Sequence, residues 1–271
     1  MKTKMSIPQR IWAYVKGNPI VVMMAMVSLI VGCTINNFFS LNNFNVLMGN
    51  TTIRFLIALG VSGCLITKGT DLSAGRQAAL AATLTGVMVQ RADYASRMFS
   101  WMPEMNMWVT LLVVLAIGAC IGLITGSIIA YLKVPPFIAT LGTQLICRAL
   151  CKLITPGPVS KLTPGFRFLG NGKIGPFHMI VIVMIIMFII LAFMLKMTRF
   201  GKSVYAVGGN DQAARVAGIN VEHTLVKVYM WCSLCAALGG VLLAGRSDSA
   251  DPANTGLNYE LDAIAAATVG G

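Results

Sequence analysis

Long apolar runs separated by short polar breaks occupy almost the whole chain. They cover about residues 20–35, 53–67, 77–90, 108–132, 137–154, 178–196, 226–245 and 259 to the end. A helix rises about 1.5 Å per residue, so roughly 20 apolar residues cross a hydrocarbon core about 30 Å thick. Only a helix satisfies all of its backbone groups within one such run, and the pattern predicts an all-α, polytopic transmembrane bundle with about eight visible spans. Residues 1–271 are expected to form a single membrane domain. The last run starts at Tyr259 and reaches Gly271 with no polar or basic stop, so further spans are expected beyond it.

The polar breaks carry the remaining information. "TPGPVSKLTPGFRFLGNGKIGPF" and "RSDSADPANTGLN" are rich in Pro, Gly, Asn and Ser and read as loops on the outer face. "LITKGTDLSAGRQAALAA" sets Asp71 among glycines between two apolar runs. An uncompensated charge at the bilayer centre costs about 2.5–3.5 kcal/mol on insertion scales. Two readings follow. In one, Thr70 or Asp71 caps a short helix at the membrane surface, with Lys68 and Arg76 as anchors. In the other, the helix is discontinuous and its irregular backbone borders a translocation path. Glu260 and Asp262 pose the same question at the start of the last run. Asp71, Arg76, Gln77, Glu260 and Asp262 are therefore the candidate polar groups of a path or its gates.

The break at residues 198–225 differs in kind. In "GGNDQAARVAGINVEH", Asn210 or Asp211 is an N-cap, Gln-Ala-Ala-Arg-Val-Ala favours helix, and Gly218 is a C-terminal stop. A helix of about two turns is marginal in water, which implies that something holds it. Ala213, Ala214 and Ala217 would let another surface approach closely. The neighbouring Gly201-Lys202-Ser203 imitates the end of a phosphate-binding loop, but Lys196 stands where that pattern needs a glycine and no strand precedes it.

Composition sharpens this picture. Hydrophobic residues make up 56% of the chain and charged ones 11%, and the mean hydropathy is +0.77. The net charge of +12 would suggest nucleic acid in a soluble protein, but here the basic residues sit between apolar runs, where they set topology. Lys2, Lys4, Arg10 and Lys16 precede the first run with no acidic residue, so the N-terminus is expected in the cytoplasm and the first run is read as a retained span rather than a cleaved signal. Six crossings then return Lys196, Arg199, Lys202, Arg215 and Lys227 to the same side. The seven cysteines lie in or beside apolar runs and read as packing residues. Cys232 and Cys235 offer a Cys-x-x-Cys without a second ligand pair, so no metal is expected. No paired His/Glu, Ser/Lys or Asp/Asp arrangement marks an intramembrane enzyme, and no catalytic residue or cofactor is expected. An ion-coupled secondary carrier would want ionisable residues deep in the spans, and the two longest runs have none at their centres.

"TRFGKSVYAVGGNDQAARVAGINV" resembles the cytoplasmic coupling loop of sugar permease subunits in bacterial ATP-binding-cassette importers of the ribose and galactose type. "TKGTDLSAGRQAALAA", "VPPFIATLGT" and "GLNYELDAIAAATVGG" resemble further signatures of that family, in the same order. "GTDLSAGRQ" is more similar to the β-methylgalactoside/galactose branch than to the ribose branch. The resemblance implies a type II importer-like permease in the bacterial inner membrane, with a second permease copy, a periplasmic sugar-binding protein and a cytoplasmic ATPase as partners. It also implies that Gly208, Gly209, Asn210, Ala213, Ala214 and Gly218 form the element the ATPase grips.

Overall fold

The computed structural model describes residues 19–175 and 177–270. The basic residues expected to hold the N-terminus in the cytoplasm lie outside the described residues. The chain falls into two compact units, residues 1–48 and 49–271. In the first, α1 (Pro19–Thr34) buries none of its residues and presents Met23, Met24, Leu29 and Ile30 outward. At its turn, Phe38 and Phe39 meet edge to face with centroids 5.2 Å apart, and the Asn43 amide donates to the Phe38 carbonyl at 2.7 Å.

The second unit holds the core. Its described helices begin with the main part of α2 (Leu41–Ile66), followed by α3 (Ala74–Val89), α4 (Met107–Tyr131) and α5 (Pro136–Ile154). After α6 (Pro164–Asn171) come α7 (Met179–Met197), α8 (Arg199–Gly209), α9 (Asp211–Val216), α10 (Val221–Ser247) and α11 (Tyr259–Gly270). Five of these, α2, α4, α5, α7 and α10, are long and apolar enough to cross a membrane. Of the eight spans expected, these five reach that length among the described residues. Most limits fall within a few residues of expectation, but α2 begins at Leu41 rather than near residue 53, because its first half is rich in Asn and Thr and carries no continuous apolar run.

Burial divides the helices sharply. α10 and α3 form the interior: α3 buries every residue from Ala74 to Val89 except Leu84, and α10 buries Tyr229, Cys232, Cys235 and the run from Gly239 to Gly245. α7, the most hydropathic helix, buries only Ile180 and Leu191. Its apolar face suits lipid, where no hydrophobic gain drives helices together and small residues decide which faces pack. Gly118, Gly122 and Gly126 make such a face on α4. A methyl at Gly122 would stand 2.7 Å from the Met230 Cα, and one at Gly126 would stand 2.9 Å from the Val226 Cα, so the backbones of α4 and α10 meet directly.

The two segments expected to be loops have more structure than their composition suggests. Pro164 at the first turn opens α6, whose buried Phe166 and Gly170 pack on the end of α10. Between the flanking loops, β1 (Val159–Ser160) pairs antiparallel with β4 (Ser249–Ala250), and the Asp248 carboxylate accepts from the Leu162 amide at 2.9 Å. A small hairpin, β2 (Lys173–Ile174) with β3 (Phe177–His178), leads into α7. The two segments are thus joined to each other at the Ser247 end of α10.

Candidate coupling corner and polar link

α8 and α9 meet at the opposite end of α10. The stretch read as a loop, "RFGKSVYAVGG", is the helix α8, capped by Thr198, whose hydroxyl accepts from the Gly201 amide at 3.3 Å. Its glycines looked like turn residues, but at Gly208 a side chain would collide with the Ile66 carbonyl, so glycine lets α8 pack against the end of α2. The Lys68 ammonium adds a bond to the Gly209 carbonyl at 3.2 Å.

α9 is secured at both ends by groups visible in the sequence. Asn210 is the N-cap, its Oδ1 accepting from the Ala213 amide at 3.0 Å. Gly218 ends the helix at φ +80°, a backbone conformation that glycine adopts without a Cβ penalty, and the Ile219 amide donates to the Ala214 carbonyl at 2.9 Å. Asn220 caps α10 by accepting from the His223 amide at 2.8 Å, and Arg215 pairs with Glu222 at 2.6 Å. Of the predicted alanines, Ala214 is buried against Val207 and Val221, while Ala213 and Ala217 are exposed. Gly209, Asn210 and Gly218 are exposed, and Gly208 is half-buried.

One residue escaped the sequence reading. Val216 is 91% exposed at the end of α9, the most exposed large hydrophobic among the described residues. Its place beside Ala213 and Ala217 gives α9 a small apolar outer face. The signal was an aliphatic residue in the last turn of a short capped helix whose other apolar residues are all alanine. A cavity of about 560 Å³ lies beside α9, with Asp211, Arg215 and Lys133 at its charged part and Gly69, Pro136 and Tyr229 along its wall.

The second group of candidates is interior. Residues 67–73 leave helical geometry after α2, with Lys68 at φ +60° and the Gly69 amide donating to the Cys64 carbonyl at 2.9 Å. Asp71 is fully buried, and its Oδ1 accepts from both the amide (2.8 Å) and the hydroxyl (2.5 Å) of Ser73. Ser73, rather than Thr70 or Asp71, is the N-cap residue of α3, and its side chain caps nothing. Its Oγ accepts instead from the Gln77 amide at 2.7 Å. The Asp71 carboxylate lies beside Cys232, about 16 Å along α10 from its start at 1.5 Å per residue. The irregular link therefore reaches well inside the span of α10 rather than resting at its end.

Arg76 and Glu260 are buried close by. Arg76 donates to the Ala253 carbonyl at 2.9 Å, and Glu260 Oε1 accepts from the Gln144 amide at 3.2 Å. Gly75 faces Glu260 Oε2 and the Gly256 carbonyl so closely that no side chain fits there. Asp262 stands apart: it is exposed and pairs with Arg54 at 2.7 Å, the guanidinium lying 4.4 Å from the centre of the Tyr259 ring. Among the described residues, buried Gln77 Oε1 and Glu260 Oε2 have no hydrogen-bond partner, and Asp71 Oδ2 has none beyond the Cys232 thiol. Four of the five candidate polar residues are thus buried, Asp71 and Gln77 joined through Ser73 and Arg76 and Glu260 each bonded to other partners, while the fifth is in an exposed ion pair.

The family described as "Branched-chain amino acid transport system / permease component" matches residues 43–271. The chain belongs to this permease family. Among curated relatives of the permease, the galactose/methyl galactoside import permease of Haemophilus influenzae is 44% identical over 86% of this chain and 72% of the relative. The protein of the same name from Escherichia coli K12 is 42% identical over 95% of this chain and 79% of the relative. The ribose import permease of Escherichia coli K12 is 36% identical over 87% and 71%. No solved structure matches the permease. Membership agrees with the five membrane-length helices: the chain is a polytopic, helical transport permease.

Proposed function

We propose that the chain is the membrane-spanning subunit of an ATP-driven importer that carries a monosaccharide, galactose or a methylgalactoside with glucose as an alternative, across the bacterial inner membrane into the cytoplasm. The relatives named for galactose import support the substrate. The observation that carries the mechanism is α9, a capped six-residue helix with an exposed Ala213, Val216 and Ala217 face held rigidly against α8 and α10. ATP hydrolysis belongs to a cytoplasmic partner, whose closure displaces α9. Because Ala214 and Val207 lock α9 to the body, and Gly208 locks α8 to α2, the displacement passes to the spans as a rigid motion. A second permease copy completes the path, and a periplasmic binding protein delivers the sugar, so the permease need not bind it tightly. On this reading the N-terminus and residues 198–225 lie on the cytoplasmic side.

Asp71, Arg76, Gln77 and Glu260 set the shape of the path in this proposal. What supports this is the burial of all four beside the irregular link, with Asp71 Oδ2, Gln77 Oε1 and Glu260 Oε2 unsatisfied there.

The test is uptake of labelled galactose into proteoliposomes holding the permease, its ATPase and a galactose-binding protein. Uptake that needs ATP and the binding protein and survives an uncoupler is expected. Uptake without ATP that an uncoupler abolishes would make the chain a secondary carrier. ATP-dependent uptake of ribose in preference to galactose would move it to the ribose branch.

A further inference from the structure

Transport as proposed gives no role to two buried thiols that lie beside Asp71. Cys64 on α2, Asp71 on the link and Cys232 on α10 bring two sulfurs and a carboxylate oxygen within 4.8 Å of one another, and all three residues are completely buried. Besides the Cys232 thiol, Asp71 Oδ2 has no hydrogen-bond partner among the described residues. The Tyr229 hydroxyl has none there either, although Tyr229 is 1% exposed and packs in the same core cluster as both cysteines. A buried polar oxygen with no partner is costly, and a thiol is a weak donor that offsets little of that cost.

We propose that Cys64, Asp71 and Cys232 form a binding site for a thiophilic divalent cation of the zinc class, reached from the cavity beside α9. The donor chemistry selects the ion: thiolate sulfur favours closed-shell, thiophilic metals, and one carboxylate suits zinc in a tetrahedral set. The geometry is close to what zinc needs. Three atoms within 4.8 Å of one another all lie within about 2.8 Å of a common point, so side-chain shifts of about 0.5–0.8 Å reach zinc bond lengths of about 2.0–2.3 Å. The Tyr229 oxygen or a water supplies a fourth position. Each thiol binds as thiolate, its proton leaving to solvent through the cavity.

Access follows from two shared residues. Gly69 and Tyr229 line the 560 Å³ cavity, and the Tyr229 hydroxyl rests on Gly69, where any side chain would displace it. Held there, the ion ties the non-helical link to α10 as well as to α2, to which the Gly69 amide already bonds through the Cys64 carbonyl. The Cys-x-x-Cys spacing, from which no metal is expected, does not describe this cluster: among the described residues Cys235 belongs to no such group, and the partners of Cys232 come from α2 and the link.

The experiment uses the full chain purified in detergent, with exposed Cys33 and Cys120 replaced by serine so that only buried thiols remain. Cobalt(II) titration is expected to produce a near-ultraviolet thiolate-to-metal absorption saturating at one ion per chain, which zinc(II) then displaces. Asp71→Asn should raise the Kd for zinc by about tenfold or more. Cys235→Ser should leave the band unchanged, and Cys64→Ser with Cys232→Ser should remove it. A folded, monodisperse chain that gives no band overturns the proposal, as does a band that survives the double substitution. Should the double variant not fold, the parent titration and the Cys235→Ser control decide alone, because they need no loss of structure to be read. None of these readouts involves sugar or ATP, so the outcome is separate from that of the transport proposal.

Discussion

The coupling corner and the polar link face the same problem, a break in helical backbone, and answer it in opposite ways. At the corner, Thr198, Asn210, Gly218 and Asn220 each satisfy a helix end within three or four residues of themselves. At the link, Asp71, Ser73 and Gln77 bond among themselves but leave oxygens unsatisfied, Cys64 and Cys232 approach Asp71 from distant parts of the chain, and nearby Glu260 and Arg76 find Gln144 and Ala253, equally distant in sequence. A corner built from local caps keeps one shape, as a lever must. A link with unpaired buried groups has neighbouring arrangements of similar energy, as a moving part must.

The sharpest way to break this comparison is at Gly75. Any side chain there meets Glu260 Oε2 and the Gly256 carbonyl, so Gly75→Leu should force α3 and α11 apart and cost more than about 3 kcal/mol. Detergent-solubilised monodisperse yield should fall severely, with Gly209→Leu at the open corner as control. Normal yield and stability for Gly75→Leu would mean that the network is not closed in the way described.

Docking at the corner is tested next. Val216→Arg replaces an exposed apolar contact with a charge, and loss of a central interface side chain costs about 2 kcal/mol, or roughly thirtyfold in affinity. Co-purification with the ATPase should drop accordingly while membrane insertion is unchanged. Ala213→Trp should do the same by bulk. Full association with both variants would remove α9 from the interface.

Asp71→Ala removes the acceptor of two bonds from Ser73 and is expected to lower galactose uptake at least several-fold with ATPase association intact. Unchanged uptake would make the link a static packing element. Asn210→Ala is smaller: loss of a helix cap costs about 1 kcal/mol, visible as faster amide exchange at Ala213 but not at Ser73.

These two regions also show what the sequence reveals. Most spans were legible because they are continuous apolar runs, whereas the first half of α2, broken by Asn42, Asn43, Asn45, Asn50, Thr51 and Thr52, was not; the caps of α9 were legible because capping is a local code. α8 was hidden because Gly208 and Gly209 resemble turn residues until the Ile66 carbonyl is seen against Gly208. α6 had its own signal, Thr163-Pro164 ahead of Phe166, overruled by the surrounding Pro and Gly. The pairing of β1 with β4, the burial of Glu260 against Gln144, and the approach of Cys64 to Cys232 involve partners far apart in the chain. No spacing rule brings such groups together.

The smallest effect expected lies where the outer turn meets the network. Asp251 accepts from the Ala253 amide and the Asn254 side chain, both at 2.8 Å, and these bonds hold its carboxyl below the usual carboxylate range. A carboxyl lowered on folding adds stability above its unfolded pKa of about 4 and loses it as pH falls through the lower folded value. The turn at residues 251–255 should therefore stay closed at neutral pH and loosen only below about pH 4. Since Arg76 is anchored on the Ala253 carbonyl, acid should release Arg76 from that anchor before the spans themselves yield. Amide exchange at Ala253 is the measurement, compared with Asp251→Asn, which should exchange faster at pH 7 and show less acid dependence. Identical exchange in the two proteins at neutral pH would show that Asp251 does not hold the turn, and that Arg76 owes its position to the buried network alone.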